Sequence, residues 1–115
     1  DFRIRRVNLS NIISTVSGDG TDNSSGDGGV ASIAQITPAG ISIDSSNNVY
    51  VCDTNSSKIR VIDTSNNIQT ITGQGSSTSA SIKASEAKLT APSFIFADRK
   101  GSLLISESSR VRGLF

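Results

Sequence analysis

The stretch Asn11-Ile12-Ile13-Ser14-Thr15-Val16-Ser17-Gly18-Asp19-Gly20 returns, 55 residues on, as Asn66-Asn67-Ile68-Gln69-Thr70-Ile71-Thr72-Gly73-Gln74-Gly75. Working outward, further blocks recur in the same order. Ala31-Ser32-Ile33-Ala34-Gln35-Ile36 before Pro38 matches Ala84-Ser85-Glu86-Ala87-Lys88-Leu89 before Pro92. Ile41-Ser42-Ile43-Asp44 matches Ile95-Phe96-Ala97-Asp98, and Val49-Tyr50-Val51-Cys52-Asp53 matches Leu103-Leu104-Ile105-Ser106-Glu107. Ile4-Arg5, Ile59-Arg60 and Val111-Arg112 supply three copies of one piece. A unit of about 54 residues, present twice with an extra copy of one piece, marks an architecture built by stacking one supersecondary element.

Within a unit, residues 40–44, 48–53, 58–63 and 67–73 are β-branched-rich runs. Clusters such as Asp44-Ser45-Ser46-Asn47-Asn48 and Asp63-Thr64-Ser65-Asn66-Asn67 separate them. Branched side chains fit a pleated surface, while short amide and hydroxyl side chains bond nearby backbone in turns. Composition agrees: Ser (22), Thr (9) and Asn (8) are abundant, and Ile (14) and Val (7) outnumber Leu (5). Between units runs a longer link containing Gly18, Gly20, Gly26, Gly28 and Gly29. Residues 31–36, like 84–89, then have the spacing of one or two helical turns, ended by a proline. Four antiparallel strands and a long link make each unit a β-propeller blade, so the fold class is all-β.

Several chemistries are excluded. With no His in the chain, there is no Ser-His-Asp triad, HExxH zinc site or imidazole base. A single Cys, Cys52, rules out an intrachain disulfide and a cysteine-cluster metal site. Its alternating strand suggests a buried thiol serving as a small apolar residue. Eleven Lys+Arg against ten Asp+Glu give a net charge of +1, far from the basic footprint of a nucleic-acid binder. No apolar run is long enough to span a membrane. A start at Asp1 rather than Met suggests a segment of something longer.

The order Pro38-Ala39-Gly40-Ile41-Ser42-Ile43-Asp44, Asn48-Val49-Tyr50-Val51-Cys52-Asp53-Thr54, Lys58-Ile59-Arg60-Val61-Ile62 resembles the NHL repeat. The Gly-rich link through Gly26-Asp27-Gly28-Gly29-Val30-Ala31 resembles that of one large subgroup. The second unit departs from it, with Ser76-Ser77-Thr78-Ser79 in place of the Gly-Asp-Gly-Gly run. The resemblance implies a six-bladed propeller, or part of one, with residues 41–44 and 94–98 lining the central channel. The expected layout is outer strands of a shared blade (1–20), a link (21–39), a complete blade (40–75), a second link (76–92) and the inner strands of a further blade (93–115, its third strand over 110–115). Two units form an incomplete ring, with unpaired strand edges at both ends.

Asp19, Asp22 and Asp27, with Asn23, place several oxygens on a Gly-rich loop that could hold Ca²⁺. Their spacing fits neither the EF-hand loop nor the Ca²⁺-binding nonapeptide, so shaping a turn between blades is the simpler expectation. Phe2, Arg3, Arg5 and Arg6 make the densest basic patch, echoed by Lys58/Arg60 and Arg110/Arg112. Some NHL propellers bind RNA on basic faces; five aromatics are few for stacking, and these cations are expected at solvent-facing positions of outer strands. Asp44 and Asp98 fall near the channel mouth, but the NHL-like enzymes rely on His ligands. Sequons stand at Asn8-Leu9-Ser10, Asn23-Ser24-Ser25 and Asn55-Ser56-Ser57, all in expected turns or links. Asn55, in a hairpin turn, is expected to have a free side chain.

The expected function is a non-enzymatic scaffold or interaction module without cofactor. Its expected partners are other copies or neighbouring NHL repeats, joined by strand addition through Ile4, Ile13, Val16 and Val111, with a glycosylated extracellular or cell-surface assembly or filament as the more specific form. Ile13 and Val16 would lie next to a third strand supplied by either Ile4 or Val111, so one terminus must yield. The alternative is a ligand-binding or signalling propeller recognising protein, glycan or RNA. Circular dichroism should be strand-dominated; more than about a quarter helix would contradict the four-strand unit.

Overall fold

The computed structural model describes residues 1–79 and 82–114. Its strands are β1 (Phe2–Val7), β2 (Ile13–Gly20), β3 (Pro38–Ile43), β4 (Val49–Asp53), β5 (Lys58–Ile62), β6 (Ile68–Thr72), β7 (Phe94–Ala97), β8 (Leu103–Ser106) and β9 (Val111–Leu114). They form three antiparallel sheets in sequence order: β1-β2, β3-β4-β5-β6 and β7-β8-β9. The chain is therefore a series of incomplete and complete propeller blades, all-β as its sequence implies. Of the strand expected over 110–115, Phe115 lies outside the described residues.

One turn recurs between adjacent strands. The Asp44 carboxylate accepts the Ser46 and Asn48 backbone N–H groups, each at 2.9 Å. Asn8, Asp63 and Asp98 do the same for the residues two and four further on. The fourth residue of each turn is left-handed: Asn11, Asn47, Asn66 and Gly101 have φ of 62°, 67°, 67° and 90°. Asn and Gly tolerate that region best, which is why these turns are written in Asx and Gly.

The expected helical segments are shorter than their spacing suggests. Only Ala31–Ile33 and Ala84–Glu86 form a turn of 3-10 helix. Ala34 is already extended at ψ 158°, and Gln35 exchanges both backbone hydrogen bonds with Ser25. Pairing within the link takes the backbone groups that a second helical turn would need.

The middle blade is covered on both faces. On one face Val51, Ile62 and Ile68 pack against Ile4 of the first blade and Ala31, Ala34 and Ile36 of the link. On the other, Cys52 and Ile59 pack against Leu89 and Ile105. β3 and β7 lie side by side, with the Ala97 N–H donating to Ser42 Oγ at 2.9 Å. The two ends of the series are open. Ile41 and Ile43 on β3 are 48% and 57% exposed, and Phe94 and Phe96 on β7 are 73% and 60% exposed.

Candidate functional site

The best-built polar site is where the first link meets the middle blade, and Arg60 is its centre. This side chain is 1% exposed. Nη1 donates to the Gln35 carbonyl at 2.8 Å and reaches Asp53 at 3.5 Å. Nη2 donates to the Ser25 carbonyl at 2.9 Å and to Asp27 Oδ1 at 2.8 Å, with Nε on that oxygen at 3.2 Å. Asp53, fully buried, also takes the Thr37 N–H at 3.1 Å. The second oxygen of Asp27 accepts from the Thr70 hydroxyl at 2.5 Å. One guanidinium thus ties the link to β4, β5 and, through Asp27, β6.

The expectation that these cations face solvent is therefore wrong for Arg60. The blade has no wet face at this position, because the link covers it. Arg112 repeats the arrangement: Nη1 reaches the Lys88 carbonyl at 3.2 Å and Glu107 at 3.5 Å, and Nη2 the Ser79 carbonyl at 2.7 Å. Glu107 takes the Thr90 N–H at 3.1 Å, as Asp53 takes that of Thr37. Arg110 also leaves solvent in part, donating to the Thr78 carbonyl at 3.2 Å and lying 3.6 Å from Glu107. Lys58 is half-buried at the start of β5. Arg3 pairs with Asp1 and donates to the Asp19 carbonyl. Phe2 is half-buried, while Arg5 and Arg6 are exposed. Among the described residues Arg5 makes no side-chain hydrogen bond. Sequence reasoning missed the clamp, although its signal was present: Arg60 and Arg112 each follow Ile or Val, and an acid, Asp53 or Glu107, stands at or just past the end of the preceding strand.

The structure separates the three candidate cation ligands. Asp19 accepts from the Thr21 N–H at 2.8 Å and Gln35 Nε2 at 3.3 Å. Asp22 Oδ1 accepts from the Thr37 hydroxyl at 2.7 Å and Asn55 Nδ2 at 3.0 Å. Asp27 belongs to Arg60 and Thr70. Each carboxylate faces its own donors, and among the described residues no three acidic, His or Cys side chains gather as an ion site. Asp44 and Asp98 bond their own turns, and Asp44 also accepts the Tyr50 hydroxyl at 2.9 Å.

The sequon residues differ in setting. Asn23 and Asn55 are exposed, but Asn23 Nδ2 donates to Gln35 and Asn55 Nδ2 to Asp22. The Asn55 side chain is thus held rather than free, because the hairpin turn folds against the link. Asn8 is half-buried and uses only its Oδ1, on the Ser10 and Ile12 N–H groups. Asp22, Asn23, Asn55 and Lys58 line one shallow polar cleft. Cys52 is fully buried, and that burial pushes its thiol up to about 11.

Of the four expected assembly residues, the structure joins two. Ile4 is buried in the core and Val16 packs against it. Ile13 and Val111 stay 55% and 70% exposed. Beside β9 lies a cleft of about 290 Å3 lined by Ala84, Ala87, Leu89 and Ile105 together with the polar Thr72, Lys83 and Arg112. In the middle blade the equivalent space is occupied by Ile68, fully buried with Ala31, Ala34 and Ile36. The last blade has no fourth strand among the described residues, and Ala84 is correspondingly half-open where Ala31 is closed.

Residues 37–62 match the family model of the NHL repeat. No curated protein sequence matches the chain. Among solved structures it is similar to a protein of unknown function from Bacteroides thetaiotaomicron VPI-5482, at 22% identity and TM-score 0.80 over 97% of this chain and 29% of that one. It is also similar to an auxiliary nutrient binding protein from the same strain (17% identity, TM-score 0.71, 95% of this chain, 31% of that one). A third is an auxiliary nutrient binding protein from Bacteroides ovatus ATCC 8483 (19% identity, TM-score 0.69, 95% of this chain, 31% of that one). The chain thus spans under a third of the length of these structures. No helix among the described residues is long and apolar enough to cross a membrane.

Two outcomes follow from the clamp. Arg60→Ala leaves Asp53 buried without its cation and should cost about 3–5 kcal/mol, measured by urea unfolding; a loss under about 1 kcal/mol would mean that the pair carries little of the joint. The second concerns acid. Burial works against the charge of Asp27, but hydrogen bonds from Thr70 and Arg60, and the charges of Arg60 and Lys58, hold its carboxyl below the ordinary value. At Asp44 burial is likewise outweighed by hydrogen bonds from Asn48, Tyr50 and Ser46. A carboxyl depressed on folding stabilises above its unfolded pKa, and that contribution is lost as pH falls through the folded one. The thermal midpoint should therefore fall below about pH 4, and Asp27→Asn should flatten part of that fall. An acid limb identical in Asp27→Asn would separate that carboxylate from the clamp.

Proposed function

We propose that this chain, which carries an NHL repeat within a run of propeller blades, is a non-enzymatic scaffold that assembles with further blades of the same kind by strand addition. The observation supporting this reading is the cleft of the last blade over Ala84, Ala87, Leu89 and Ile105, whose counterpart in the middle blade is filled by Ile68 of β6. An edge strand with unpaired N–H and C=O groups beside an open cleft is a template for another strand. The sequons suit an extracellular or cell-surface protein. Asn8 is the best placed for a glycan, since its Nδ2 has no partner among the described residues. A second reading, a ligand-binding propeller, is supported by the polar cleft at Asp22 and Asn55 and by a fold shared with two auxiliary nutrient binding proteins.

Mass in solution with and without glycosidase separates these readings. Assembly predicts a species of several copies that is lost when residues 1–17 are deleted, together with a mass shift if Asn8 carries sugar. A soluble, folded chain whose size is unchanged by that deletion would overturn strand addition and favour the ligand-binding reading.

A further inference from the structure

We infer that the polar cleft between the first link and the β4–β5 turn binds a small zwitterion, an α-amino acid. Lys58 takes its carboxylate, and Asp22, Asn23 and Asn55 take its ammonium. This deepens the ligand-binding reading and rests on it.

The cleft has a volume of about 470 Å3, and Asp22, Asn23, Ser24, Asn55, Ser56 and Lys58 line it. That size falls in the range of small-molecule sites. All six residues lie between positions 22 and 58. β4 and β5, which the turn joins, are each paired on both sides. The cleft therefore owes nothing to the open faces of the first and last blades.

The repeat distinguishes this cation from its counterparts. Arg3 and Arg110 stand where Lys58 stands, one unit earlier and one unit later. The fold uses both. Arg3 pairs with Asp1 and donates to the Asp19 carbonyl, and Arg110 donates to the Thr78 carbonyl beside Glu107. Lys58 lines the cleft with no hydrogen bond or ion pair among the described residues. Its neighbours are equally particular to this copy. The second link has no acid at the place of Asp22, and the turn from Glu107 to Arg110 is two residues shorter and has no Asn.

The unspent groups define the ligand. Asp22 uses one oxygen, Oδ1, on the Thr37 hydroxyl and Asn55 Nδ2. Its Oδ2 accepts nothing among the described residues. Nor do the Oδ1 atoms of Asn23 and Asn55, whose amide nitrogens donate to Gln35 and Asp22. Three acceptors, one of them charged, match the three N–H donors of an ammonium. Lys58 brings the opposite charge to the same cleft without pairing with Asp22. A ligand carrying both charges meets both, whereas a simple anion is opposed by Asp22 and a simple cation by Lys58. The wall also holds an unspent donor: the Ser24 hydroxyl is closed to solvent and has no partner among the described residues, a state rare in folded proteins. No lining residue is apolar, so the amino acid that fits has a short polar side chain.

The test is calorimetric titration with L-serine, on protein from a host without N-glycosylation so that Asn23 and Asn55 are bare. L-serine should bind about tenfold or more tightly than its amide, which lacks the carboxylate, and than glycerate, which lacks the ammonium. Lys58→Gln should abolish the preference over the amide and keep the preference over glycerate. A merely structural role for Lys58 would not move one preference without the other. Equal affinity for L-serine and its amide in the unaltered protein would overturn the inference, as would L-serine binding that Lys58→Gln leaves unchanged. A sugar that binds in place of the amino acid, and is lost with Asp22→Asn, would overturn the zwitterion while leaving the ligand-binding reading standing. No heat from amino acids or sugars at millimolar concentration would sink both.

Discussion

The buried guanidinium of Arg60 is the interaction on which the rest of the structure depends. Backbone ladders join strands within a blade, and backbone hydrogen bonds from Gly28, Gly29 and Ala31 pair the Gly-rich link with β6 around Ile68, but a side chain ties the link to β4 and β5. Arg60 does so by donating to two link carbonyls and two carboxylates, one of them fully buried. A cation taken out of water is tolerable only when its donors are met and its charge is balanced. Arg suits this position better than Lys, because its planar fork can serve several acceptors in fixed directions. Such a network adds less to net stability than it adds to register: with the link shifted by a residue, the donors would face nothing.

That network explains what could be read from the sequence. The Asx turns at Asp44 and Asp63 were legible because every participant lies within four residues. The strands were legible from β-branched runs, and the blade from the recurrence of Ile13-Ser14-Thr15-Val16 as Ile68-Gln69-Thr70-Ile71. Arg60 was not. Strand alternation assumes one wet face, and there a charged residue reads as outward. A propeller blade is covered on both faces, so a polar residue at period two can point into the molecule. Its partners Asp27, Ser25 and Gln35 lie 33, 35 and 25 residues away, a distance that local pattern does not reach. Asp19, Asp22 and Asp27 misled for the same reason. Their closeness in sequence suggested one site, but the link turns each carboxylate toward a different donor.

The two clamps are unequal. Arg60 is 1% exposed and Arg112 12%. The second link has no acid between Gly75 and Lys83 to play the part of Asp27, so Arg112 balances its charge on Glu107 alone, which Arg110 shares. The apolar packing is unequal in the same sense. Filling the site of Ile68 is worth about 1.5–3 kcal/mol for a buried aliphatic side chain, and the corresponding space beside Ala84 and Ala87 is open. Among the described residues the middle blade is a closed joint, and the last blade is an open copy of it.

Finished and unfinished joints are linked by the logic of a repeat. In a series of like units each joint uses the rear face of one unit and the front face of the next, so a face left open at either side of this stretch is one that a further unit would cover. Ile41 and Ile43 at one end and Phe94 and Phe96 at the other are such leftovers, exposed because of position in the series rather than because solvent suits them. A contact between them is heterologous: it closes when the rotation per unit divides a full turn and runs on when it does not. Closure alone removes both open edges at once, which is how propellers escape the hazard of an exposed strand. The exposed isoleucines and phenylalanines of this chain are faces of the kind that a neighbouring blade covers.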